Sequence, residues 1–133
     1  RVLDLYAGTG ALGFESLSRG AAEAWFVEQD PALVTALGEQ AETFGVRPRI
    51  LRQDAASLLG GRPPQHFDVV FLDPPYALTV EPLLTLLPPW LAERGLVYVE
   101  RPLSPGLPEP AGGEWVKRGR AGSVEFGLLR FAV

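Results

Sequence analysis

The chain has 133 residues, 47% hydrophobic and 21% charged, enough to bury one sizeable core and too apolar for wholesale disorder. A formal net charge of −4 argues against a broad phosphate-binding surface, the lack of cysteine excludes disulfides and thiolate zinc sites, and the lone His66 has no second histidine at ligand spacing, so a metal is not expected. No apolar run reaches the ~20 residues of a membrane span and nothing resembles a signal peptide, which makes a cytoplasmic protein with no membrane attachment the expectation. The chain opens on Arg1 and contains no methionine, and it reads as a single domain, 1–133, whose natural N-terminal segment is missing.

In chain order, "RVLDLYA" is the first strand candidate, "GTG" breaks it, and "ALGFESLSRG" carries apolar residues at helical spacing before Gly20. "EAWFVE" is the second strand, after which Asp30 and Pro31 are the cap and first residue of a helix through "ALVTALGEQAETFG". "RIL" and "DAASLLG" repeat the scheme, and "FDVVFLD" is a fourth strand apolar on both faces, as expected of a covered parallel strand. "VEPLLTLLPPWLAERG" reads as a helix interrupted or ended near Pro88 and Pro89, and "LVYVE" as the fifth strand. A proline- and glycine-rich loop, "PLSPGLPEPAGGE", leads to "WVKRG" and "SVEFGLLRFAV", joined by "RAG" as a hairpin. The pattern predicts an α/β fold with a mostly parallel sheet and an antiparallel C-terminal hairpin.

Gly8, Gly10 and Gly13 form a G-x-G-x-x-G run directly after a strand and at the start of a helix. Glu28 ends the second strand about 20 residues later, where an acid reaches ribose hydroxyls. A plain tight turn would use the same glycines. Asp4 argues against a pyrophosphate nearby and for a ligand bearing an ammonium group. Asp54 ends the third strand, where it can accept from an adenine amine or simply cap the next helix. Three acids at successive strand ends suit a cationic, purine-bearing ligand, S-adenosylmethionine, better than a polyanion.

The fourth strand ends in Asp73, Pro74, Pro75 and Tyr76. An exocyclic base nitrogen is a poor nucleophile because its lone pair is delocalised into the ring. The Asp73 carboxylate and the Pro74 carbonyl are two acceptors that would draw its protons, proline fixes the backbone, and the Tyr76 ring can stack on a flipped base. A strand end with a packed tyrosine is the plainer alternative. Arg101 and the "KRGR" stretch (Lys117, Arg118, Arg120) are candidate phosphate contacts or a solvated turn, and Trp25, Trp90 and Trp115 are expected in the core.

These motifs resemble the class I S-adenosylmethionine-dependent methyltransferases of the amino-methylating group with a [DNS]-P-P-[YFW] signature. More narrowly, "LDLYAGTGALGFESLSRGA", "FVEQDP" and "FLDPPY" are similar to the bacterial RsmD-type family that methylates guanine N2 in 16S ribosomal RNA. The resemblance implies a Rossmann-like, seven-stranded sheet with the last strand antiparallel. It implies cofactor contacts from Asp4, Ala7, Gly8, Gly10, Glu28 and Asp54, with Tyr6, Thr9, Gln29 and Ala55 in the same site. It also implies base handling by Asp73, Pro74, Pro75 and Tyr76, and a monomer acting on 16S rRNA or the small ribosomal subunit particle. DNA methylation at adenine N6 or cytosine N4, methylation of a protein glutamine, and a non-catalytic nucleotide-binding module remain the alternatives.

Overall fold

The short apolar runs become strands because β-branched and aromatic residues pack well on a pleated, covered surface. The computed structural model describes residues 1–109 and 112–131. Pro110 and Ala111 of the expected proline-rich loop, and Ala132 and Val133 of the expected last strand, lie outside the described residues. Strands β1 (Val2–Leu5), β2 (Ala24–Glu28), β3 (Arg49–Arg52) and β4 (Phe67–Leu72) alternate with helices α1 (Ala11–Ser18), α2 (Pro31–Phe44) and α3 (Ala55–Leu59). Asp30 caps α2 by accepting from the Ala32 and Leu33 N–H groups, Pro31 sits just inside, and Gly45 ends the helix at φ 69°.

After β4 come α4 (Glu81–Leu86), a 3₁₀ turn (Pro88–Trp90), β5 (Leu91–Pro102), β6 (Gly113–Ala121) and β7 (Val124–Phe131). The stretch "WLAERG" is therefore strand and turn, not the end of a helix. Pro88 and Pro89 supply no N–H to continue the helical ladder, and Leu91 already pairs with Phe67. A register shift then takes up Ala92 to Gly95, with Arg94 at φ 65°, before Leu96 pairs with Val69.

The seven strands run in the order β3-β2-β1-β4-β5-β7-β6. β3, β2, β1, β4 and β5 are mutually parallel, and β7 is antiparallel to both β5 and β6. This is the expected α/β architecture. The hairpin turn is shorter than "RAG", because Arg120 and Ala121 still pair with Glu125 and Val124, leaving Gly122 and Ser123 to turn. The later strand lies inside and the earlier one at the edge. That order follows from composition: β7 carries "FGLL" into the sheet, while the charged "KRGR" of β6 blunts the exposed edge.

Side chains alternate across the sheet and divide the core in two. Leu3, Leu5, Trp25, Val27, Val70 and Leu72 pack with Leu59, Leu83, Leu84 and Trp90 on one face. Phe26 packs with Phe14, Leu37 and Ala41 of α1 and α2 on the other. Trp25 and Trp90 are buried as expected, the Trp90 indole donating to the Leu59 carbonyl, and Trp115 is half-buried. No helix among the described residues is long and apolar enough to cross a membrane.

Candidate active site

The register aligns the strand ends. Leu5 pairs with Val27 on one side and Leu72 on the other, and Leu72 pairs with Val99. The next residues along these strands are Tyr6, Glu28, Asp73 and Glu100, which therefore emerge together at the carboxyl edge. The chain order reverses between β1 and β4, the place where open α/β sheets leave a crevice for ligands.

The glycine loop is tied down by backbone N–H groups. Gly8 donates to Glu28 Oε1 at 2.9 Å, Gly10 to the Ala7 carbonyl at 2.8 Å, and Gly13 to Asp4 Oδ2 at 3.0 Å. Asp30 N–H donates to Glu28 Oε2 at 3.0 Å, so each Glu28 oxygen already holds one backbone donor. A carboxylate oxygen has two lone-pair sites, and each retains room for a ligand hydroxyl. Gly10 sits at φ 79°, and a Cβ there would meet Leu37 and Phe14; a Cβ at Gly13 would overlap the Phe26 ring. These two glycines serve the packing of α1 on the sheet, while Gly8, at φ 57° with only the Tyr6 carbonyl in ordinary contact, carries the turn.

A cleft of about 440 Å³ opens at this edge, walled by Tyr6, Glu28, Gln29, Asp54, Ala55 and the run from Asp73 to Tyr76. The structure thus brings most of the expected site residues onto one cavity. Asp4 is not in its wall but buried beneath the glycine loop, 3% exposed. Ala7 and Gly8 are half-buried in the loop, Gly10 is buried in the helix packing, and Thr9 lines a separate depression of about 500 Å³ against Phe14, Gln40 and Phe44. That second depression contains none of the strand-end acids. Asp54 takes the capping role, its Oδ2 accepting from Ser57 N–H at 3.0 Å and Ser57 Oγ at 3.1 Å, and still faces the cleft.

The cleft is electronegative. Burial pushes the Asp4 carboxyl up to about 7, against the Gly13 hydrogen bond and with help from Asp73 and Glu28. Asp73 is also raised, first by burial and then by Glu100, with Arg101 opposing. Tyr6, at φ 58°, has a buried hydroxyl with no hydrogen-bond partner among the described residues, and its pKa is raised by burial and by Asp54.

At the end of β4, Asp73 is half-buried, Pro74 is buried and Tyr76 is 58% exposed. The Leu78 N–H closes a turn onto the Pro75 carbonyl at 2.9 Å. No hydrogen bond among the described residues occupies the Asp73 carboxylate or the Pro74 carbonyl. Arg101 is not a phosphate contact: it is 4% exposed and donates to the backbone carbonyls of Pro75, Tyr76 and Leu78. The "KRGR" residues lie on strand β6 instead of a turn, with Arg118 and Arg120 paired to Glu125.

A family model described as conserved hypothetical protein 95 matches residues 1–130. The chain belongs to that family. Among its relatives, ribosomal RNA small subunit methyltransferase D of Escherichia coli K12 is 37% identical over 133 residues, covering 96% of this chain and 67% of that protein. The protein of the same name from Haemophilus influenzae is 35% identical over 137 residues, covering 96% and 70%. Among solved structures, the yhhF protein of Escherichia coli superposes with a TM-score of 0.91 at 34% identity, over 99% of this chain and 77% of that one. A hypothetical protein of Thermus thermophilus, TTHA0928, gives 0.82 at 31% identity, over 96% and 73%. The chain spans about two thirds of the length of the curated relatives. The family kinship read from the glycine loop and the Asp73 motif is borne out.

Sequence reasoning missed the acid that the fifth strand brings to act on Asp73. Tyr98 donates to Glu100 Oε1 at 3.0 Å, and Glu100 raises Asp73. The signal was available in "LVYVER": once that run is placed beside "FDVVFLD" in parallel register, its acid falls next to Asp73.

Proposed function

We propose that residues 1–133 are the catalytic domain of an S-adenosylmethionine-dependent methyltransferase acting on small-subunit ribosomal RNA, and that the acceptor is the exocyclic N2 amine of a guanine in 16S rRNA. The single observation that carries this reading is the free acceptor pair of Asp73 and Pro74 at the mouth of an acid-lined cleft, beside the outward-facing Tyr76. The names of the relatives supply the substrate class.

The residues present fit the cofactor. A cavity walled by Glu28, Asp54 and Asp73, with the Asp73 carboxyl raised by burial and by Glu100, favours a cation, and the Tyr6 hydroxyl, without a partner among the described residues, awaits a polar one. Glu28 would hold ribose hydroxyls and Asp54 the adenine amine, while Asp4, sealed beneath the glycine loop, would hold that loop in place through Gly13. When bound, S-adenosylmethionine supplies an electrophilic methyl group on a sulfonium. The chain does the rest by positioning. Asp73 and the Pro74 carbonyl accept the two N2 protons, which localises the nitrogen lone pair, and the raised Asp73 carboxyl is suited to take the proton that N2 loses on forming its bond to carbon. Tyr76 stacks on the extruded base. The protein acts as a monomer in the cytoplasm, where small subunits are assembled.

The test is transfer of labelled methyl to small-subunit particles that lack the modification, followed by nucleoside analysis. N2-methylguanosine is expected. Unlabelled RNA from protein that binds the cofactor would overturn the reading and direct the search to DNA or protein amides.

A further inference from the structure

Arg101 lies at the end of β5, 4% exposed, and belongs to none of the ion pairs among the described residues. Burying a guanidinium without a carboxylate in contact is costly. What surrounds it are carbonyl oxygens of one loop: Leu78 at 2.8 Å and Tyr76 at 3.1 Å, both on Nη2, with Pro75 at 3.5 Å from Nη1. We propose that Arg101 is a positioning residue for methyl transfer: its fork draws three carbonyls of the Pro75–Leu78 turn inward, leaving the Pro74 carbonyl and the Asp73 carboxylate as the acceptors this loop presents to the cleft.

A turn of this composition has few bonds of its own. Its one internal backbone bond is Leu78 N–H to the Pro75 carbonyl, no backbone–backbone bond among the described residues joins it to the sheet, and Pro74 and Pro75 remove donors that could. A planar guanidinium with five N–H groups can engage several oxygens in fixed directions, which an ammonium cannot match. The inward pull on the Tyr76 and Leu78 carbonyls also sets which way the Tyr76 ring points. Arg101 carries a second effect, since it alone opposes the burial and the Glu100 charge that raise Asp73. Strand parity explains the arrangement: Val97, Val99 and Arg101 alternate with Tyr98 and Glu100, so Glu100 and Arg101 approach the loop from opposite faces of the sheet.

The inference rests on the proposed methyl transfer, and its test uses Arg101→Met and Arg101→Lys in the full chain. Three quantities are read: single-turnover transfer to unmodified small-subunit particles, the S-adenosylmethionine dissociation constant, and hydrogen exchange of residues 76–79. Arg101→Met should lose about 100-fold in transfer rate, the scale of a misplaced catalytic group, with cofactor affinity within about threefold. Its loop exchange should rise while that of α1 and α2 does not. The acid limb of its rate profile should move to higher pH, because removing the cation leaves the Asp73 carboxylate less stabilised. Arg101→Lys keeps the charge and loses the fork, so its limb should stay while its rate falls about tenfold. Loop exchange and transfer rate unchanged in Arg101→Met, or in Arg101→Lys should the first variant fail to fold, would overturn the proposal. Wild-type protein that leaves RNA unlabelled would refute the proposed function, and the exchange data would then judge the clamp alone.

Discussion

The glycine loop and the Asp73-to-Leu78 loop sit side by side at the carboxyl edge of the sheet and are held in different ways. The first is fixed by backbone donors to acids from its own and the neighbouring strand, Gly13 to Asp4 and Gly8 to Glu28. The second is held by one side chain from β5, 23 to 26 residues away in the chain. A loop built on its own glycines is set once its βαβ unit has formed, whereas a loop clamped from β5 is complete only after the sheet has extended past β4. Under the proposed function, cofactor binding falls to the locally determined loop and base handling to the remotely determined one.

Substitutions can break that division. Asp73→Ala should reduce transfer by at least about 10³-fold while cofactor affinity changes only a few fold; a variant with substantial turnover would remove the base-handling loop from the chemistry. On the other loop, Asp4→Asn should reveal a cost in stability. The Asp4 carboxyl is raised from 3.8 to about 7 in the folded protein, so the native state holds a proton that the unfolded chain releases. Its stabilising contribution is complete below about pH 4 and is lost as pH rises toward 7, amounting to roughly 4 kcal/mol. Melting of the cofactor-free wild type should fall across that window, and melting of Asp4→Asn should fall markedly less.

Gly13→Ala sharpens the comparison from the packing side. Its Cβ would overlap Phe26 and crowd Asp4 Oδ2, at about 1–3 kcal/mol of stability by urea unfolding. Glu28→Ala removes an acceptor shared by the loop and the proposed ribose contact, and should weaken cofactor binding by roughly 1–3 kcal/mol; an unchanged dissociation constant would refute that contact. The smallest effect belongs to Tyr76→Ala. With the ring 58% exposed, stability and cofactor affinity should not move, and kcat/KM on RNA should drop by about 1–2 kcal/mol of lost stacking.

Most of the first half of the fold was legible because its signals are local. Asp30-Pro31 caps a helix wherever it occurs before an apolar period, and Gly8 after "VLDLYA" turns the chain out of its strand. The second half was read less well for the opposite reason. Leu91 is a strand residue because Phe67 lies opposite it, and nothing in "WLAERG" by itself favours strand over helix.

The sequence alone determined the class of fold, the glycine turn, the acids Asp4, Glu28 and Asp73, and the kinship they signal, because strand ends, caps and turns are set by residues adjacent in the chain. Tertiary structure decided that β7 lies inside β6, that Asp4 is sealed under the loop at a raised pKa, and that Arg101 faces a turn instead of solvent. Those outcomes depend on which strands become neighbours and which side chains lose water, and both are properties of the assembled sheet.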